Sequence, residues 1–256
     1  MNLNRITRYL PWLILGCGGI GGSLRALMMR LCIDEKGLLK PWNLPQILLI
    51  LLTLAVLALV ILTTRTQAGS NRYGDNFRRS LPAGISSFAA AGAIALLVLR
   101  NFGTQKDMLS SICLVAAALS IPCLILAGLA RIRGKRPHFL TYAALCLFFG
   151  LHMADQYRQW SSLPLMADYV FQLFACVFLS LSAYSHTAFC TGMGRRLRHL
   201  VCGTLAAYFS LVSMFVSGYG LFYLVCGVWA LLNLCHPEPR PRRAKPVEAP
   251  APEAQS

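Results

Sequence analysis

From Gln46 to Thr63 the chain reads QILLILLTLAVLALVILT, with no charge and little besides Leu, Ile, Val and Ala. A run of this kind matches the roughly 20 apolar residues needed to cross the ~30 Å hydrocarbon core of a bilayer. The rest of the chain repeats the theme. Charge-free stretches lie between Arg79 and Arg100, Asp107 and Arg131, Arg136 and Asp155, and Asp168 and Arg195. The uncharged run from Arg198 to Glu238 is too long for one helix, and the turn chemistry of Ser217-Gly218-Tyr219-Gly220 divides it into two short spans. The segment from Tyr9 to Leu31 is also apolar, but it holds Arg25 and Arg30.

These runs predict an all-α integral membrane helix bundle with about eight transmembrane helices, over 9–31, 46–63, 81–99, 109–130, 137–155, 165–187, 199–217 and 220–236. Together they form one transmembrane domain, residues 1–236. Composition agrees. Charged residues make up 13% of the chain, half the ~25% of a soluble domain, and mean hydropathy is +0.57, which excludes an ordinary water-soluble enzyme.

Basic residues set the orientation. With loops assigned alternately to two sides, the side of the N-terminus collects seventeen Lys and Arg, among them Arg5, Arg8, Arg65, Arg131 and Arg195, against six on the other. Short cytoplasmic loops carry the Lys/Arg excess, so both termini are expected in the cytoplasm and the protein in the cell membrane. The net charge of +15 is thereby spread over every cytoplasmic loop, as topology anchors and as attraction to anionic lipid. No nucleic-acid partner is implied.

After His236 the chain becomes rich in Pro and Arg, and nothing in 237–256 can pack a core. A disordered, partly polyproline-II cytoplasmic tail is expected there, suited to a lipid surface or a partner protein. The ten cysteines include no CxxC pair and lie in or at the ends of spans, where a thiol behaves as a small apolar residue rather than as a disulfide or zinc ligand. Gly16-Cys17-Gly18-Gly19-Ile20-Gly21 matches the GxGxxG spacing of a dinucleotide site. The strand, helix and acidic residue that such a site requires do not follow, whereas Gly18, Gly22 and Ala26 make a small-residue face for close helix packing. Arg5, Arg8 and the run ending at Cys17 loosely imitate a lipoprotein signal, but the apolar core is short and contains Pro11, so an uncleaved first helix is expected.

Ionisable groups inside spans cost roughly 2.5–3.5 kcal/mol each on insertion scales and mark function by default. Arg25 lies in the outer part of the first span; His152 and Asp155 lie one turn apart near the outer end of the fifth; Asp168 and Gln172 lie near the outer start of the sixth. The connection between the fifth and sixth spans is short, so they are expected to pack as antiparallel neighbours. Arg25, His152, Asp155, Asp168 and Gln172 are therefore candidates for a polar pocket open to the outside that holds a small molecule or an ion. The structural alternative is an Arg25–Asp ion pair locking the first span to the fifth and sixth. His138, His186, His199 and His236 fall near the cytoplasmic surface and are expected to be interfacial, since one sequence cannot show two of them facing each other as a haem or metal would require. In the loop after the second span, Asn71, Arg72 and Asp75 are candidates for a functional role, Asn and Asp making it turn-rich and its arginines suiting phosphate, although a positive-inside loop needs no such role.

DEKGLL after the first span, GSNRYGDNF after the second, RGKRPHFL entering the fifth and DQYRQWSS leaving it resemble segments of multi-spanning membrane proteins of about this length from anaerobic, Clostridia-like Gram-positive bacteria. The resemblance covers most of the chain except the tail. It implies the multi-spanning fold and carries over no activity, cofactor or site residue.

Three functions fit such a chain. A small-solute or ion transporter would use the outer pocket. A non-catalytic membrane subunit or sensor would act through helix packing and the tail, with another membrane protein as partner. A membrane-embedded enzyme ranks last, because HExxH, GxSxG and paired acids at metal spacing are absent, and no cofactor or metal is expected.

Overall fold

The structure, a computed structural model, describes residues 3–31, 43–64, 73–77, 79–103, 107–161, 169–215 and 218–234. Among these, every element is a helix: α1 (Leu3–Leu31), α2 (Leu44–Thr64), a short α3 (Tyr73–Asn76), α4 (Leu81–Asn101), α5 (Met108–Arg133), α6 (Phe139–Trp160), α7 (Val170–Thr191), α8 (Arg196–Ser213) and α9 (Gly220–Leu232). The spans expected from 46, 81 and 109 coincide with α2, α4 and α5 to within a few residues. The later boundaries shift. Helix α6 continues past Asp155 to Trp160, α7 begins at Val170 rather than 165 and runs to Thr191, and α8 starts at Arg196 and ends at Ser213. Charged residues do not stop a helix, as Asp155 and Arg158 inside α6 show, and two of the stops are glycines. Gly134 and Gly192 end α5 and α7 in the left-handed conformation, at φ 67° and 82°, which a residue without Cβ adopts freely.

Helices α4, α5, α6, α7, α8 and α9 each pack on the next, and α9 returns to α4, which closes a ring. The α1–α2 hairpin packs outside this ring, against α8. Helix α8 is consequently the most enclosed element, with every residue from Cys202 to Ser213 buried. Small residues let it be so. A Cβ on Gly18 would come within 2.7 Å of Leu211, and one on Gly22 within 2.9 Å of the Leu211 carbonyl oxygen. The small-residue face expected of the first span thus faces α8, while Gly16 and Gly19 of the GxGxxG string have open space beside them.

The distribution of polarity is inverted relative to a soluble bundle. Helix α2 exposes Leu48, Leu51, Leu54, Ile61 and Leu62, whereas Ser87, Ser120, Ser182, Thr204 and Ser210 are fully buried. Ser120, Thr204 and Ser213 donate to carbonyls one turn back, at 2.8, 2.6 and 2.8 Å, which satisfies a hydroxyl inside its own helix. Others join helices: Thr53 of α2 meets Tyr208 of α8 at 2.9 Å, and Ser180 of α7 donates to the Cys146 carbonyl of α6 at 3.1 Å. Where the surrounding medium is lipid, such bonds and close packing hold helices together. Among the described residues, five helices are long and apolar enough to cross a membrane by length and composition: Tyr9–Leu31, α2, α4, α5 and α7. Helices α6 and α8 fall outside that group, and α9 is apolar but short.

Candidate functional site

Among the described residues, buried polar side chains gather at both ends of the bundle. At the end where α4 and α6 finish and α5 and α9 begin, a cavity of about 380 Å³ opens between those four helices. His152, Asp155, Gln156 and Gln159 line it from α6, and Asp107, Ser110 and Cys113 from α5. Both sets recur every three or four residues, which puts each on one face of its helix. Ser110 donates to one carboxylate oxygen of Asp155 at 2.6 Å, and the Gln159 amide donates to the other at 3.0 Å. Asp107 forms an ion pair with Arg158 at the rim. The ring of His152 rests among Phe148, Phe222 and Tyr219, with centroids 5.7, 5.3 and 5.9 Å away. Tyr219 continues the wall, and its ring carries the Arg100 guanidinium 5.5 Å from its centroid.

Of the five candidates for an outer pocket, His152 and Asp155 share this cavity. Arg25 does not line it. Its fully buried guanidinium donates to Ser213 Oγ of α8 at 3.3 Å and lies over the Phe171 ring of α7, 5.4 Å from the centroid. The reason is topological: α1 packs on α8 and α2, whereas α6 is held between α5 and α7. Gln172 is buried in the first turn of α7 and is not part of the cavity wall either. Asp168 lies outside the described residues, as do Asn71 and Arg72. Asp75 is exposed on α3. Sequence reasoning missed Ser110, Gln156 and Gln159, whose only signal was their helical spacing relative to Asp107, His152 and Asp155.

The opposite end is closed by aromatic rings. Tyr73 and Phe77, at the two ends of the α3 segment, are buried, and Phe77 packs against residues of α5, α7 and α8. Phe77 lies 5.0 Å from His186 and 5.2 Å from His199 between ring centroids, and the Arg131 guanidinium stacks over it at 5.0 Å. His186 and His199 are not interfacial, as their positions near the span ends suggested; both are buried, and they face each other. His199 Nε2 donates to the Asn233 carbonyl at 3.2 Å, since a carbonyl only accepts, and Nδ1 lies 2.6 Å from Ser185 Oγ, which itself donates to the Ser182 carbonyl at 2.7 Å. Burial pushes the Tyr73 phenol up to about 12, so it stays neutral. His138 caps α6 and is exposed, and His236 lies outside the described residues. Among the described residues, no three His, Cys, Asp or Glu side chains come together as a metal site would need.

No family model, curated protein or solved structure matches this chain.

Proposed function

We propose that this is a multi-pass protein of the cell membrane, with eight spans formed by α1, α2 and α4 to α9 and both termini in the cytoplasm, and that it takes a small solute or ion into the α5–α6 cavity as a transporter does. The observation that carries the reading is that cavity. It places His152 and a hydrogen-bonded Asp155 in a concave wall built from four helices, at one end of a bundle whose exterior is apolar. A cavity of about 380 Å³ falls in the usual range of roughly 300–1,000 Å³ for small-molecule sites.

The charge asymmetry between the ends supports the orientation. Arg79, Arg131, Arg133, Lys135, Arg136, Arg195, Arg196 and Arg198 gather at the end closed by α3, while Arg30, Arg100 and Arg158 stand at the cavity end. The positive-inside rule then turns the α3 end to the cytoplasm and opens the cavity outward. Helices α6 and α8 are less apolar than typical spans because they contribute the polar lining and the enclosed axis, where protein rather than lipid surrounds them.

A thermal-stability screen of the detergent-purified protein against inorganic ions, amines, carboxylates and sugars tests the reading. A ligand that binds only the folded state adds about 2.7 kcal/mol at a hundred times its dissociation constant, which registers as a raised melting temperature. The expected result is a stabilising solute whose effect disappears in Leu114→Trp, a substitution that fills the cavity wall. Stabilisation by no class of solute, or by one indifferent to Leu114→Trp, would refute the cavity as the binding site. Uptake of the stabilising solute into proteoliposomes then separates transport from binding alone.

A further inference from the structure

Three groups in the cavity wall still have capacity to accept hydrogen bonds. The Asp155 carboxylate takes one bond on each oxygen, from Ser110 and from Gln159, and an ionised carboxylate has about four lone-pair sites. No Lys or Arg among the described residues forms an ion pair with it, whereas Asp107 at the rim is neutralised by Arg158. Gln156 and His152 are 2% and 3% exposed and line the same cavity. Gln156 Oε1 and His152 Nε2 have no hydrogen-bond partner among the described residues. Two buried, polar, unpartnered atoms beside an unneutralised carboxylate call for an occupant that supplies what they lack.

We infer, building on the cavity as a solute site, that its ligand is a protonated primary amine, with the ammonium group donating to Asp155, Gln156 Oε1 and His152 Nε2 and the carbon skeleton lying along Leu97, Leu114 and the Tyr219 ring. Charge selects a cation, because Asp155 is the one charge in the wall without an ion-pair partner among the described residues. The acceptor set selects which cation. Group I and II metal ions take oxygen ligands, and an imidazole nitrogen suits them poorly. A quaternary ammonium has no N–H to give. A primary ammonium has three donors, one for each acceptor, and imidazole accepts at Nε2 in the tautomer that carries its proton on Nδ1. The aliphatic and aromatic part of the wall, with Phe222 behind His152 at 5.3 Å, suits an apolar substituent.

The test is isothermal titration of the full-length, detergent-purified protein with benzylammonium. Benzyl alcohol, benzyltrimethylammonium and sodium chloride serve as comparators of matched shape or charge. Benzylammonium should bind at least about tenfold more tightly than each comparator, the order that a charge-assisted hydrogen bond supplies. Asp155→Asn should remove that advantage, Gln156→Leu should weaken benzylammonium several-fold, and Gln156→Glu should tighten it by adding a second negative charge. If Asp155→Asn fails to fold, the two Gln156 variants decide the matter. Equal binding of benzylammonium and benzyl alcohol, equal binding of the quaternary ion, or indifference to both Gln156 variants would overturn the assignment. Binding of benzyl alcohol or of another solute class that is lost in Leu114→Trp would overturn the amine while keeping the cavity as a site. Binding of nothing from any class would overturn both.

Discussion

The rings of His186 on α7 and His199 on α8 meet edge to face, with 4.4 Å between centroids, and Phe77 closes over both. The α3 segment is therefore a plug seated in one end of the bundle, opposite the cavity. Removing a large buried aromatic side chain costs about 3–5 kcal/mol. Phe77→Ala should lower the melting temperature of the detergent-purified protein accordingly and leave solute affinity at the distant cavity unchanged. Melting indistinguishable from the parent would mean that α3 is not docked.

The α1–α8 contact predicts a sharp difference between neighbouring glycines. Gly22→Leu drives a side chain into the Leu211 carbonyl and Phe215, and overpacking of this kind costs about 1–3 kcal/mol or separates the helices outright. Gly16→Ala meets open space inside the helix and should leave stability unchanged or raise it by up to about 1 kcal/mol, the advantage of Ala over Gly in a helix interior. Thermal melting of the two variants side by side checks this, and equal effects would contradict the packing of α1 on α8.

Arg25 is expected to act in packing rather than in solute binding. Arg25→Met keeps much of the side-chain volume but loses the bond to Ser213 and the contact over Phe171. A hydrogen bond to a charged group contributes about 1.5–3 kcal/mol, so stability should fall by that order. Solute affinity, measured by titration on the surviving folded protein, should change little. A selective loss of affinity with unchanged melting would place Arg25 in the site after all.

How much of this was legible beforehand depends on what each feature needs. The helices follow from charge-free runs, because the length and hydropathy of a single segment decide them. Their ends do not, since Arg158 and Asp155 continue α6 while Gly134 and Gly192 stop α5 and α7. His152 and Asp155 were readable as a pair because helical spacing alone puts them together. Their partners Ser110 and Gln159 carry no charge, and Ser110 comes from another helix. Arg25 was misplaced because Gly18 and Gly22 announce a close helix neighbour without saying which one. The facing of His186 and His199 depends on the rotation of α7 against α8, which no local pattern encodes.

The most direct test is of which way the cavity faces. Gln159 is exposed at the cavity end and Arg195 at the α3 end, so Gln159→Cys and Arg195→Cys report on opposite sides. In intact cells a membrane-impermeant maleimide should modify Gln159→Cys above the unsubstituted background and reach Arg195→Cys only after lysis. Labelling of Arg195→Cys in intact cells, or protection of Gln159→Cys until lysis, would contradict an outward-facing cavity in a bundle with cytoplasmic termini.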